Sequence, residues 1–341
     1  PPATQQTGYD PATSTELPER RTENERVYTN TDGTETTEFS TAKVNFHDQN
    51  GQLTPIDPTL VADHGWRNKA DDIALKFAED AGSPDLVTMS VDADHSVSYG
   101  MTGATTAKGT ADGATVTYPD VRSNVDLKVE SQPGGVKETL VLKNADTPRT
   151  FTFPLRLRNL TPKLVDNQVV LTDEKGTQRA VIPAGDMVDA QGVTATVNYL
   201  LNGTTLTVTV DETWLRDPGR VFPVSVDPTI QLPVNSGVAD SSLSVSGGGS
   251  SPGGQQFLTG PNSAGYVKFA DLVNKLQYHT IFGAQLWLVN YDAESCNPRQ
   301  VTVHPVTESW DSSTNKAYPG PAVGDSLATA QARKIDGILD L

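Results

Sequence analysis

The residues with which this 341-residue chain could do acid–base, nucleophilic or metal chemistry are five histidines, 42 carboxylates and one cysteine. A Ser–His–Asp triad needs a nucleophile on a sharp strand-to-helix turn, and no Gly-x-Ser-x-Gly elbow of that kind occurs, the one match in letters, Gly249 to Gly253, lying in a glycine-rich run with Pro252 directly after the serine. His47, His64 and His95 sit beside turn signals, His304 lies on an alternating segment, and His279 follows a short apolar stretch, Ala270 to Tyr278. No two histidines have the i, i+4 spacing of a helical zinc site, and Cys296 alone excludes both Cys-ligated zinc and an intramolecular disulfide. Asp48-x-Asn50-Gly51 begins like a calcium loop, yet position 59, where the bidentate Glu should stand, is Thr. No cofactor is expected, with a structural calcium between loops as the open alternative. Asp71-Asp72 and Glu79-Asp80 are neighbouring carboxylates of the kind glycoside hydrolysis uses in pairs. They flank an alternating run, where solvated strand ends are the ordinary role. On these residues the chain is expected not to be an enzyme.

Sugar binding needs aromatic faces beside hydrogen-bonding side chains. Tyr266, Trp287, Tyr291, Trp310 and Tyr318 are the candidates for a glycan site. Trp287 alternates with Leu286 and Leu288, and Trp310 lies in the polar run Glu308-Ser309-Trp310-Asp311-Ser312, so either ring has a route to the surface. Core packing competes with that role, because a tryptophan buries a large apolar area.

The elements that must carry these residues read as strands. Val and Thr number 34 and 41, while 28 Gly and 23 Pro interrupt the chain every few residues. Ile73, Leu75 and Phe77 alternate with Ala74, Lys76 and Ala78, and Leu206, Val208 and Val210 alternate with Thr205, Thr207 and Thr209. Asp32-Gly33, Asn50-Gly51, Asp112-Gly113, Lys175-Gly176 and Asn202-Gly203 fall at hairpin spacing. The expectation is an all-β chain of consecutive antiparallel β-sandwich domains with a disordered lead. The lead spans residues 1–25, a β-rich domain 26–117, a sandwich 118–230 and a partial sandwich 231–341, with Ser246 to Gly254 as a flexible connection. A formal charge of −16 disfavours a nucleic-acid partner, and no apolar run is long enough to insert in a membrane.

Longer motifs add a resemblance. Arg20-Arg21-Thr22-Glu23-Asn24, Asp32-Gly33-Thr34 and Pro55-Ile56-Asp57-Pro58 are followed by Tyr118-Pro119-Asp120-Val121 and Gly135-Val136-Lys137-Glu138, then by Trp214-Leu215 and Val226-Asp227-Pro228-Thr229. Together they resemble the N-terminal region of large secreted actinobacterial proteins with RHS or YD repeats, often polymorphic toxins. Gly265-Tyr266-Val267-Lys268-Phe269, Ala284-Gln285-Leu286-Trp287-Leu288 and Val301-Thr302-Val303-His304-Pro305-Val306-Thr307 are similar to a DNRLRE-type, carbohydrate-binding-module-like domain. The closing strands of that domain are not found after Ala328, which implies a longer natural chain or completion by another polypeptide. The resemblance implies a non-enzymatic binding and scaffold region, secreted or at the cell surface. Its partner would be the RHS/YD-repeat shell of the same or an associated polypeptide, or a surface polysaccharide. The alternatives are a stand-alone cell-wall glycan-binding adhesin and a subunit completed by a separate chain.

Overall fold

The computed structural model describes residues 8–40, 43–227, 229–232, 241–246, 249–252, 263–268, 276–284, 288–289, 299–310, 319–332 and 338–339. The protein is all-β, and every strand pairing among the described residues is antiparallel. The α-helix Glu212–Leu215 is one turn, which starts where the Asp211 carboxylate accepts the N–H groups of Thr213 and Trp214.

Two large sheets face each other. One has eight strands and runs from Asn198–Asn202 through Thr150–Arg158 and Ser96–Tyr99 to Ala74–Phe77 and Asp57–Ala62. The other has eleven, with Thr115–Arg122, Val125–Gln132 and Gly135–Leu142 side by side at its centre. The chain visits them alternately: residues 57–99 build the first sheet, 110–142 the second, 150–158 the first, 161–196 the second, 198–209 the first and 224–231 the second. Neither sheet is therefore complete without sequence from both halves of the chain. The division expected at residue 118 falls inside the strand Thr115–Arg122, whose Val116 and Tyr118 pack in the same core as Leu75 and Val226.

Period-two alternation decides which side chains form that core. Ile73, Leu75 and Phe77 are at most 2% exposed while Ala74 and Lys76 face out, and Leu206, Val208 and Val210 behave likewise against their threonines. Each such Leu, Ile or Phe contributes about 1.5–3 kcal/mol on burial. Tyr118 crosses from the second sheet to donate its hydroxyl to the Ala78 carbonyl at the rim of the first.

Turn chemistry fixes the register. Four loops share one pattern, Asn30–Thr34, Asp48–Gln52, Asp173–Thr177 and Asp189–Val193. In each, the first residue's N–H donates to the fifth residue's carbonyl, and a fourth-position glycine donates back to the first carbonyl. In the three aspartate versions the carboxylate also accepts the third and fifth N–H groups at 2.8–2.9 Å. The glycines have φ of 76–87°. Gly65 is held more tightly still: its φ is +113° and a Cβ there would lie 2.2 Å from the Phe77 carbonyl oxygen.

Of the N-terminal lead, residues 15–16 already pair with Glu25–Thr29, and Arg21 binds Glu16 through two N–H···O contacts of 2.6 and 2.8 Å. Lys43 ties this small sheet to the sandwich, reaching Glu23 at 2.9 Å and Asp72 at 3.0 Å. Beyond residue 240, Gly249–Pro252, inside the glycine run expected as a flexible connection, pairs with Ser241–Ser246, because backbone hydrogen bonds alone suffice for a strand. The helix expected over Ala270 to Tyr278 lies mostly outside the described residues.

Candidate functional site

The histidines serve loops. His47 Nδ1 lies 3.2 Å from the Gly51 carbonyl, His95 Nδ1 2.8 Å from Asp92, and His304 Nδ1 2.9 Å from the Gly324 carbonyl. The calcium-like run is a turn: Asp48 spends one carboxylate oxygen on the N–H groups of Asn50 and Gln52. Among the described residues no group of three or more His, Cys, Asp or Glu is arranged to hold a metal ion.

One pair of carboxylates stands apart in its surroundings. Asp71 and Asp72 follow the strand Trp66–Ala70, where Asn68 bridges to the next strand by donating to the Ile73 carbonyl and accepting the Leu75 N–H. Asp71 accepts the Asp72 N–H at 2.7 Å and the Gly134 N–H at 3.2 Å, so it touches the tip of the hairpin between Gln132 and Gly135. Burial, then the neighbouring Asp72, pushes its carboxyl up to about 7. Burial also raises Asp72, but the hydrogen bond from Asp71 and the Lys43 ammonium outweigh it and hold that group below the usual range. The two carboxyls therefore act as one unit that carries a proton near neutrality, with a lysine on its ionised member. Sequence reasoning named the pair but assigned it to a solvated end; the hairpin tip that desolvates it is 63 residues away.

A second polar centre joins Asp189, Arg220 and Trp214. Arg220 Nη1 lies 2.8 Å from Asp189 Oδ2, its Nε donates to the Trp214 carbonyl at 3.1 Å, and its guanidinium stacks 3.3 Å from the Trp214 ring centroid. The two charged side chains are only 7% and 0% exposed. Burial raises the Asp189 carboxyl, but the N–H groups of Val193, Gln191 and Val221 and the Arg220 guanidinium overcome it and hold the group ionised. This is a clamp between a turn and a loop, with both Asp189 oxygens occupied.

Of the five aromatic candidates, Trp287, Tyr291 and Tyr318 lie outside the described residues. Tyr266 and Trp310 pack edge to face, centroids 5.8 Å apart, and are 6% and 8% exposed. The Tyr266 hydroxyl donates to the Pro319 carbonyl at 2.6 Å. In this arrangement the two rings are the core of a small cluster with Ala264 and Val306 and present no open face.

Relatives among curated proteins correct the functional expectations. The tRNA nuclease WapA of Bacillus subtilis strain 168 is 27% identical over 259 residues, covering 65% of this chain and 11% of that protein. The tRNA(Glu)-specific nuclease WapA of B. subtilis subsp. natto strain BEST195 matches equally over 10% of its length. The tRNA3(Ser)-specific nuclease WapA of Bacillus spizizenii is 33% identical over 167 residues, 42% of this chain and 7% of its own. The chain thus spans about a tenth of the length of the curated relatives it matches. No family model matches the sequence, and no solved structure does.

These findings overturn the assignment to an actinobacterial RHS/YD-repeat region ending in a DNRLRE-like domain. They overturn the non-enzymatic scaffold and glycan-adhesin readings with it, and the expectations of no enzyme and no nucleic-acid partner. The reason is one of scale. A motif search and a net charge describe only the stretch they are taken from, and a protein ten times longer can bind and cut RNA with residues elsewhere. No helix among the described residues is long and apolar enough to cross a membrane, which is compatible with an extracellular location.

Proposed function

We propose that this chain is part of a secreted tRNA nuclease, an enzyme whose substrate is tRNA. The observation that carries the reading is the similarity over 259 residues to a protein named as a tRNA nuclease. The relatives' names specify different targets, tRNA(Glu) in one and tRNA3(Ser) in another, although both match this chain. A stretch common to nucleases of different specificity does not choose the tRNA, so we assign the choice of substrate to sequence outside the matched stretch. The interleaved sandwich fits a part that stays constant: its two sheets share one core from Ile73 to Ile230 and exchange strands along the chain.

The test is cleavage by the natural full-length protein of total bacterial tRNA, resolved on a denaturing gel beside ribosomal RNA and duplex DNA. Loss of a subset of tRNAs with discrete new ends, the other nucleic acids remaining intact, is the expected result. Intact tRNA under conditions where a control ribonuclease cuts it would overturn the proposal.

A further inference from the structure

The core between the two large sheets is interrupted by polar atoms that have no partner. Glu138 stands in Gly135–Leu142 on the same face as Val136, Leu140 and Leu142 and is 2% exposed. Its Oε1 makes no well-formed hydrogen bond, and neither do the hydroxyls of Tyr99 and Tyr199, which come from the opposite sheet and are 2% and 6% exposed, although the Tyr99 hydroxyl lies toward the Glu138 carboxyl. A buried polar group left this way loses its hydration without compensation, so the arrangement calls for something between them. The space exists. Tyr99 and Glu138 line a cavity of about 10 Å³, open to the centre of a water-sized sphere, whose other walls are Phe153, Leu155, Ile182, Leu206 and Ile230. That is the room one water needs, and a carboxyl oxygen and a phenol supply the polar contacts that hold an internal water.

We propose that Glu138 and Tyr99 form a site between the two sheets for a single water molecule that bridges the carboxyl group and the phenol. Apart from the Tyr99 hydroxyl, the surroundings of Glu138 favour the proton. The walls are apolar, the charged groups that act on the site are the carboxylates Asp227 and Asp186, and among the described residues no cation lines it; Lys137, next in sequence, points to the other side of the strand, 3.4 Å from Asp227. Burial first, and then Asp227, pushes the Glu138 carboxyl up to about 8, against the Tyr99 hydroxyl, which favours the ionised form. Burial likewise raises both tyrosines, so neither phenol ionises before the acid does. The neutral acid donates its proton to the water, which donates to an acceptor oxygen across the interface. Ionisation removes that donor and leaves a bare carboxylate among apolar walls. A carboxyl raised by folding contributes stability that is complete below its unfolded value of about 4.3 and disappears as pH rises through the folded value near 8. The site therefore acts as a proton-held latch that releases in mildly alkaline solution.

Three measurements on the whole chain test this. Infrared difference spectra between the wild type and Glu138→Gln should show one carboxylic acid carbonyl band that survives to a midpoint near pH 8, far above the other carboxyls. Thermal melting of the wild type should fall relative to Glu138→Gln progressively from about pH 4.3 to about 8 and level off above, with no divergence below about pH 4. Should Glu138→Gln fail to fold, Tyr99→Phe supplies the comparison, because loss of the phenol shifts the same band without removing it. High-resolution diffraction at pH 6 should place one water within hydrogen-bond distance of Glu138 Oε1 and Tyr99 Oη. A dry cavity beside other ordered internal waters, or a Glu138 band that titrates with the bulk carboxyls, would overturn the proposal.

Discussion

Replacing Arg220 by Ala should be among the most damaging single changes to the sandwich that leave its apolar core intact. The side chain makes three contacts, with Asp189 at 2.8 Å, the Trp214 carbonyl at 3.1 Å and the Trp214 ring at 3.3 Å. Its removal strands a carboxylate that is 0% exposed. Breaking a buried pair by deleting one partner costs about 3–5 kcal/mol, and the lost cation–π contact lies within rather than beyond that range. Three backbone N–H groups remain on Asp189, at 2.9, 2.9 and 3.4 Å, and these keep the loss toward the lower end, about 3 kcal/mol. Arg220→Lys keeps the charge but loses the Nε bond and the planar stack, and should cost about 1–2 kcal/mol. The assay is urea unfolding followed by tryptophan emission, which reports directly because Trp214 is the stacked ring. The pH dependence has a definite sign. Asp189 is held below its ordinary value in the fold, so its contribution is present above the unfolded value of about 3.9 and vanishes as pH falls through the lowered one. Arg220→Ala should therefore lose most of its deficit in strong acid. A cost below about 1 kcal/mol at pH 7, or a deficit that grows as pH falls, would refute the reasoning.

Two further perturbations probe the fold on either side of that clamp. Asp71→Asn should raise the melting temperature at pH 8 and leave it unchanged near pH 4, because the penalty of ionising Asp71 develops as pH rises from about 3.9 through its folded value of about 7; calorimetry at the two pH values checks this, with about 1–3 kcal/mol expected at the higher. Gly65→Ala forces a Cβ to 2.2 Å from the Phe77 carbonyl at φ +113° and should cost more than about 2 kcal/mol in denaturant unfolding, whereas an alanine at Gly33, with open space around it, should cost no more than about 1 kcal/mol.

What the sequence alone determined is local. Alternation placed Leu75 and Leu206 inside, and Gly after Asp or Asn marked the turns, because a strand's faces and a turn's φ are set by residues within five positions of one another. Glu138 carried a readable signal of the same kind, an acid at the inward parity of Val136, Leu140 and Leu142. What only the tertiary structure decided depends on contacts between distant residues. Alternation does not say which sheet a strand joins, so the exchange of strands between the two sheets was invisible. Asp189 and Arg220 are 31 residues apart, and Asp71 meets its hairpin tip across 63. Tyr266 and Trp310 read as potential surface rings until Pro319 and Val306 closed over them. A group's solvation, and hence its charge and its chemistry, belongs to whatever the fold packs against it, which the neighbouring sequence does not contain.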